Sequence, residues 1–573
     1  MAIKSIQWGL LIALAFIYFV IACLSSRFEF NSEFSQRPIL LVLGLLSTAF
    51  VLHIVSLRMA LRGNNYLAIS RFVFLGGAIF RLILLPSYPI QEVDIYRYLW
   101  DGAVVSHGDN PYRLSPQQVL HSQREESSSA ELTSLANLKD SSRSLSETLN
   151  RIHFGELITV YPPVSQAVFG TASLVVPDNA SLYQRVITMK TVLTAFDLGT
   201  LLLVLLLLRR MNRHPGWAIL YGWCPLVLKE FANSGHLDSI AVFLTTAAIL
   251  ALIIGIAASQ IKWQLLWLAC SSLFLGLGVG AKLYPVILIP VLTLWVSCTL
   301  SRRIAVGYFA SLLVIAGFSL VPMLATAPAA TTRIIAPVEA DKISELMPTD
   351  EDSAIIAESG LVTFLSRWEI NDLFFMVIVE NLRPDIDFST LTDSTSRSHW
   401  FVIIPQSLRL QIASQLSAIL QCPIPEATFL AARAITLIIF MSIVAILLRR
   451  AVQNNNRMYW LRVSFLTIAW FWALSPTLNP WYWTWAIPLL PFAGRRAWTA
   501  VSLLIFAYYI RFWILYHVTE SNVLGTGYHG EEFFHFVIAP LEHLLWLALL
   551  GAESFFYRNV CVVTEADTTC DIH

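Results

Sequence analysis

The chain has 573 residues, of which 56% are hydrophobic and 13% charged. A water-soluble domain carries about 25% charged residues, so this chain has too little charge to coat a water-facing surface, and a soluble globular protein is excluded. With 38 basic and 38 acidic residues the formal net charge is zero, which argues against a nucleic-acid partner, because that would call for a basic patch or stripe.

The first apolar run, 6–24, follows Lys4. It lacks a small-residue cleavage site, and a second run comes soon after, so it reads as an uncleaved first span and not as a signal peptide. Further spans are predicted at 39–57, 66–86, 190–208, 216–230, 238–258, 263–281, 283–299, 304–326, 428–448, 459–475, 483–494, 497–515 and 537–553. A span needs about 20 apolar residues. The fold class is therefore all-α: a polytopic transmembrane bundle of roughly 12–14 spans. Two of the runs, 216–230 and 483–494, are short enough to be tilted, re-entrant or half-length. The apolar stretch 164–176 follows Pro162-Pro163 and is shorter still, so it reads as re-entrant or interfacial. The chain divides into N-terminal spans (1–86), a first long loop with its interfacial helix (87–189), central spans (190–326), a second long loop (327–427), C-terminal spans (428–553) and a tail (554–573).

Placing Lys4 in the cytoplasm and counting crossings tests this division. The cytoplasmic loops then hold Arg58 and Arg62, Arg209 with Arg210 and Arg213, Lys262, Arg302 with Arg303, Arg449 with Arg450, and Arg495 with Arg496. Every Arg-Arg pair falls on one side, as the positive-inside bias demands. Counting 164–176 as a full span would reverse the later loops and spoil that agreement. The loops 87–160 and 327–427, together with 233–238 and 475–481, fall on the opposite, external face. Polar and aromatic chemistry is concentrated there.

The first long loop opens Gln91-Glu92-Val93-Asp94-Ile95-Tyr96-Arg97-Tyr98-Leu99-Trp100-Asp101-Gly102. On a helix, Asp94, Arg97 and Asp101 share one face at spacings of three and four. Tyr98 and Trp100 are amphipathic rings suited to headgroup depth. The same residues would serve an interfacial helix whose acids simply pair with Arg97. The segment is followed by Gly108-Asp109-Asn110-Pro111-Tyr112 and then by Tyr161-Pro162-Pro163-Val164-Ser165-Gln166. Between them the 115–150 insert is rich in Ser, Glu and Gln and reads as a flexible or lid-like excursion.

These motifs, with Asn233-Ser234-Gly235-His236-Leu237-Asp238, Ala281-Lys282-Leu283-Tyr284-Pro285 and Asn479-Pro480-Trp481-Tyr482 in that order, resemble the GT-C superfamily of membrane glycosyltransferases. The nearest resemblance is to the bacterial polyprenyl-phosphate-mannose-dependent mannosyltransferases. The matches run from about residue 91 to residue 485. Asn479 stands where many relatives have His, so no histidine role is carried over to it. The resemblance implies a GT-C-like bundle with juxtamembrane helices over a lipid-facing cleft. It implies inverting transfer of a sugar, mannose first, from a polyprenyl-phosphate donor to a glycan or glycolipid acceptor, on the periplasmic face of a bacterial inner membrane. It also implies a carboxylate base from the first loop. That base maps to Asp94, with Glu92 and Asp101 as competitors.

Breaking the anomeric bond also requires stabilisation of the departing phosphate. Lys282 is the first choice, with Arg97 and Arg367 behind it; a lysine snorkelling to the interface is the competing account of Lys282. Substrate-binding roles are expected for Arg97, Tyr98, Trp100, Asn110, Tyr112, Tyr161, Gln166, His236, Asp238, Lys282, Tyr284, Arg367, Asn479 and Trp481. His236 and Asp238 either bond sugar hydroxyls or cap a helix. Arg367, in Ser366-Arg367-Trp368-Glu369-Ile370-Asn371, suits an interfacial helix equally well.

No cofactor is demanded. The cluster His517, His529, Glu531, Glu532, His535, Glu542 and His543 leaves a divalent metal open without matching a strict motif, and reads first as solvated side chains. The seven cysteines form no C-x-x-C pair. A transporter or flippase for a lipid-linked sugar is the rival class, because short or broken spans occur at transport sites. Against it stand the absence of an internal repeat and the scarcity of mid-span charge, which amounts to Asp197 with Lys190 near the other end of its helix.

Overall fold

The computed structural model describes residues 5–121, 129–326, 358–384, 399–518 and 522–564. It is an all-α polytopic bundle. Among the described residues ten helices are long and apolar enough to cross a membrane: Ser5–Phe28, Phe34–Ala60, Tyr66–Leu84, Leu182–Arg210, Asp238–Ala257, Ile261–Ala281, Arg302–Leu324, Ile424–Asn454, Ala497–His517 and Gly530–Phe555. Much of the second long loop (327–357 and 385–398) and the end of the tail (565–573) lie outside the described residues.

The four other predicted spans are present as shorter or broken segments. The 459–475 run is a helix of 17 residues, Arg457–Ala473. The 283–299 run is a 3₁₀ turn, Tyr284–Leu288, leading into Ile289–Thr299. The 216–230 run is cut into Pro215–Ala218, Ile219–Gly222, Pro225–Val227 and a π-helical turn, Leu228–Asn233. The 483–494 run becomes Pro480–Trp483 and a 3₁₀ segment, Ile487–Phe492. Proline explains the breaks: Pro215, Pro225, Pro480, Pro488 and Pro491 each remove a backbone donor and clash with the preceding turn.

Irregular backbone is tolerated at membrane depth only inside protein, and residues 218–242 and 476–493 are indeed buried without interruption. The first broken segment runs from end to end of the bundle. His214 Nε2 meets Gly63 O at 2.7 Å at one end, and Asn233 Nδ2 donates to Ser87 Oγ at 2.7 Å and Tyr88 O at 2.8 Å at the other. Asp197 anchors its middle. The carboxylate accepts from Arg81 Nε at 2.6 Å, Arg81 Nη2 at 2.8 Å and Tyr221 Oη at 2.7 Å, while Arg81 Nη1 donates to Gly222 O at 2.7 Å. Asp197, the acid the sequence places in mid-span, is therefore a fully satisfied structural pair. Lys190 is likewise spent on backbone, donating to Ser87 O at 2.6 Å.

The first loop folds over one end of the bundle. Asp94–His107 ends at Gly108, whose φ of 97° supplies the left-handed cap. The helix crosses Pro163–Leu174 at close range, because Gly102 has no Cβ; one would stand 2.6 Å from Phe169 O. Pro163–Leu174 has 12 residues, too few to span, which agrees with an interfacial helix.

The 115–150 insert, expected to be a flexible or lid-like excursion, is not flexible coil over its described part. Pro116–Leu120, Ala130–Asp140 and Arg143–Asn150 are helices. Their few apolar residues, Val119, Leu135, Leu138, Leu145 and Leu149, close a small core on Trp100 and Val104. Ser115 and Gln118 form a reciprocal capping box that starts the first of them. The second loop is tied to the first by a two-residue parallel pairing, Leu157 with Glu358 and Ile158 with Ser359, and to the C-terminal spans by a bridge between Ile370 and Thr477.

Candidate active site

Four separate stretches of chain converge beneath the first loop. The left-handed turn at Gln91 (φ 52°) brings Glu92 back under the start of Asp94–His107. One Glu92 oxygen accepts from the amides of Val93 at 3.0 Å and Asp94 at 3.2 Å. Asp94 occupies the first turn of that helix, where the exposed amide dipoles favour a carboxylate, and its Oδ2 accepts from the Tyr161 hydroxyl at 3.1 Å.

The other Glu92 oxygen faces His236 Nε2 at 3.5 Å, and the same nitrogen lies 3.4 Å from Glu230 Oε2. Gly235, with φ at 72°, makes the turn that delivers this histidine; a Cβ there would meet Ile95 and Lys190 at 3.0 Å. The imidazole stacks on Trp481, ring centroids 4.2 Å apart. Behind it, Glu230 is held by Lys229 at 3.2 Å and by the Tyr509 hydroxyl at 2.6 Å. Asp238 accepts from Trp485 Nε1 at 2.6 Å and pairs with Lys282 Nζ at 3.3 Å. The ammonium of Lys282 also lies 5.0 Å over the Tyr482 ring, a cation–π arrangement. Trp485 is sandwiched between Tyr284 at 4.3 Å and Tyr482 at 4.5 Å. Lys282 is thus turned inward to a carboxylate and an aromatic face, which decides against free snorkelling.

The electrostatics separate the two first-loop acids. Burial pushes Asp94 up, and the neighbouring Glu92 charge pushes it further, to about 6, against the opposing pull of His236 and Lys282. Glu92 is penalised by burial too, but His236, Lys229 and the capped amides outweigh that and hold it near 2. Burial works against the protonated form of His236; Glu92, Glu230 and Asp94 reverse the effect and raise it. One carboxylate is therefore held ionised as a counter-ion, while its neighbour is poised to exchange a proton. The pairing of acids with environments that push them apart is the pattern of a site that needs a base.

Of the remaining predicted residues, Asp101 is 2% exposed and takes three donors: Arg97 Nε at 3.0 Å, Thr159 Oγ1 at 2.6 Å and Gln166 Nε2 at 2.9 Å. Arg97 also donates to Leu157 O at 3.0 Å. Asp101, Arg97 and Gln166 thus form a buried brace behind Asp94. Tyr112 donates to Tyr161 O at 2.8 Å and fixes the residue that bonds Asp94. Tyr98 packs edge-on to Tyr161 at 5.0 Å and face-on to Phe169 at 4.7 Å. Asn110 caps its own turn through Tyr112 N at 3.0 Å, and Trp100 points into the small core of the insert; neither joins the convergence. Asn479 is buried at the start of Pro480–Trp483, where its carbonyl accepts from Tyr482 N at 3.0 Å. Arg367 stands exposed at the end of Gly360–Arg367.

Lys229, Glu230, Tyr482, Trp485 and Tyr509 belong to the site without having been predicted. The signal for two of them was available: Lys229-Glu230 is a charge pair inside an apolar run, and ionisable residues at membrane depth mark function by default.

No protein-family model, curated protein or solved structure matches the chain.

Proposed function

We propose that this integral membrane protein is a glycosyltransferase of GT-C type. It moves a sugar, mannose foremost, from a polyprenyl-phosphate donor to a glycan or glycolipid acceptor on the non-cytoplasmic face of a bacterial inner membrane. The observation that carries the proposal is the meeting of Asp94, Tyr161, His236, Asp238 and Lys282 at one end of the bundle, drawn from the same motifs that carry the resemblance.

In this reading Asp94 accepts the proton of the acceptor hydroxyl as it attacks C1 of the sugar. Its position supports that role: it is partly exposed, oriented by Tyr161, and raised by burial and by Glu92. A base is most effective when its pKa approaches the working pH. Lys282 answers the negative charge that develops on the leaving phosphate, and Asp238 with Trp485 holds it in place. Trp481, with His236 stacked on one face, offers the other face to a pyranose, while the stacked Tyr284, Trp485 and Tyr482 rings back Lys282. Glu92 acts through His236 as a fixed counter-ion, and Asp101 braces the helix that presents the base. The step is a single displacement: the acceptor oxygen–C1 bond forms, the C1–phosphate oxygen bond breaks, the proton passes to Asp94, and the anomeric configuration inverts.

One feature favours the rival transport reading, namely the buried Lys229–Glu230 pair on a broken crossing segment. Incubating the purified protein in liposomes with radiolabelled polyprenyl-phosphate mannose or glucose and an acceptor extract separates the two. Label appearing in an acceptor supports transfer. Label that crosses the bilayer still attached to its lipid supports transport.

A further inference from the structure

A second polar cluster lies apart from Asp94, where the second loop meets the last span. The sequence grouped His535 with His529, Glu531, Glu532, Glu542 and His543, but the fold divides them. Glu531 is taken by Arg511 at 2.6 Å, and His529 faces Glu532 at 3.5 Å. His543 reaches Asn371 O at 2.8 Å, and Glu542 faces the Asn371 amide at 3.4 Å. His535 turns instead toward Glu369, Nε2 to Oε1 3.5 Å, and a ligand atom from each of Glu369, Asp372 and His535 lies within 4.8 Å of the others. We propose that Glu369, Asp372 and His535 form a divalent-cation site that staples the second loop to the last span.

Three observations argue for a ligand there and not for a loose group of acids. Asp372 is 0% exposed, and its Oδ1 has no hydrogen-bond partner. Leaving a buried carboxylate oxygen unpaired is costly, and a cation is the partner that would remove the cost. Glu369 Oε1 has no hydrogen bond either; only His535 Nε2 faces it, at 3.5 Å.

The second observation is preorganisation. Asp372 Oδ2 accepts from Met376 N at 2.7 Å, which fixes the carboxylate plane. Ile370 is bonded on both sides, to Pro476 O at 2.9 Å and from Leu478 N at 3.0 Å. Asn371 holds a left-handed φ of 55° between the two acids, so that they fold back toward the same point. His535 sits in a π-helical turn, Phe534–Ile538, a distortion that is frequent at functional sites.

The third is charge. Glu369, Asp372 and Glu380 face one guanidinium, Arg383, at 3.3 Å from Glu369 and 2.6 Å from Glu380. Three carboxylates thus share one guanidinium, which leaves the Oδ1 side of Asp372 without a fixed positive partner. His399 stands 3.9 Å from Glu380 on the far side of that acid.

One imidazole and two carboxylates suit a borderline cation of the zinc class, bound through three protein ligands with a fourth position for water. Ligands at about 2.1 Å in a tetrahedral array lie roughly 3.4 Å apart, so binding would draw the three together modestly. Access comes from the side of His535 and Glu369, whose side chains are 23% and 12% exposed. The stapled segment is hydrogen-bonded to Leu478, next to the Asn479–Trp485 stretch that lines the candidate active site, so the ion would hold Trp481 and Trp485 in register.

The test uses the purified full-length protein in detergent, stripped with EDTA and dialysed. It is incubated with Zn²⁺, Mn²⁺ or Mg²⁺, desalted and assayed by plasma mass spectrometry; Co²⁺ serves as an optical probe. The expected result is about one Zn²⁺ per chain, with a visible Co²⁺ ligand-field band displaced by Zn²⁺. Asp372→Asn, Glu369→Gln and His535→Gln should each weaken binding at least about tenfold. His529→Gln and Glu531→Gln should leave it unchanged. Size-exclusion profiles report folding; if Asp372→Asn aggregates, the partly exposed Glu369→Gln carries the comparison. Sub-stoichiometric Zn²⁺ with no Co²⁺ band in the wild-type chain overturns the proposal, as does binding that survives Glu369→Gln and His535→Gln but is lost in His529→Gln.

Discussion

Asp94→Asn is the sharpest perturbation of the candidate active site, because it removes a proton acceptor while keeping the shape. The asparagine oxygen can still accept from the Tyr161 hydroxyl that meets Asp94 Oδ2 at 3.1 Å. A positioned general base contributes about 10²–10⁴ in rate, so turnover should fall by that factor, roughly 2.7–5.4 kcal/mol of barrier. Stability should move the other way. The Asp94 carboxyl is raised to about 6 by burial and by Glu92, above the unfolded value near 3.9. Its ionised form is therefore less welcome in the folded chain, and that cost is fully present above the folded pKa and disappears as pH falls below the unfolded one. At neutral pH the asparagine variant should melt no lower than the parent. The assay is transfer of radiolabelled sugar from synthetic polyprenyl phosphate, read beside thermal unfolding in the same detergent. If Asp94→Asn turns over within about threefold of wild type, the base assignment fails; if it is inactive because it is unfolded, the stability argument fails.

The companion variant Asp101→Asn should fail differently. It removes the charge that balances buried Arg97 at 3.0 Å and turns an amide NH2 toward the donors Thr159 Oγ1 and Gln166 Nε2, so a stability loss of about 3–5 kcal/mol is expected, seen as a drop in Tm that accompanies the loss of activity. Turnover at saturating donor should fall as pH drops through about 6, where Asp94 takes up its proton, while Glu92, held near 2, stays ionised across that window; a flat profile between pH 5 and 7.5, a range that is about centred on this value, would count against Asp94. Lys282→Met should lower turnover and also lower the Tm, because Asp238 keeps the Trp485 bond on Oδ1 but loses its partner on Oδ2; unchanged turnover in the folded variant would remove Lys282 from the phosphate role. Arg81→Met should destabilise by about 3–5 kcal/mol by stranding Asp197, whereas the double variant Arg81→Met, Asp197→Leu should recover most of it, both measured by thermal unfolding.

Much of this protein was legible in its sequence, for a simple reason. A bilayer imposes a length and a polarity on every segment that crosses it, so apolar runs report candidate crossings, and all fourteen predicted runs correspond to helical segments, ten of them long and apolar enough to span among the described residues. Local chemistry was legible on the same grounds. Asp94, Arg97 and Asp101 do share a helix face, and Gly235 and the prolines mark the turns and breaks. The sequence could also place the acids, His236 and Lys282 in loops of the same face, because alternation of crossings is a one-dimensional count.

What it could not decide is which polar groups meet, since pairing depends on distances between segments far apart in the chain. Asp101 and Asp94 look equivalent on one helix; the tertiary structure gives three donors to the first and a half-buried position, beside Glu92 and bonded by Tyr161, to the second. Lys282 acquired Asp238 across 44 residues, and His535 left its sequence neighbours for Glu369. The 115–150 insert, read as flexible from its polarity, is helical over its described part because Trp100, on another helix, offers its scattered leucines a surface to bury. Composition and periodicity set what each segment can be, while the roles of its charges follow from desolvation and neighbouring charge, and both of those exist only once the segments are packed together.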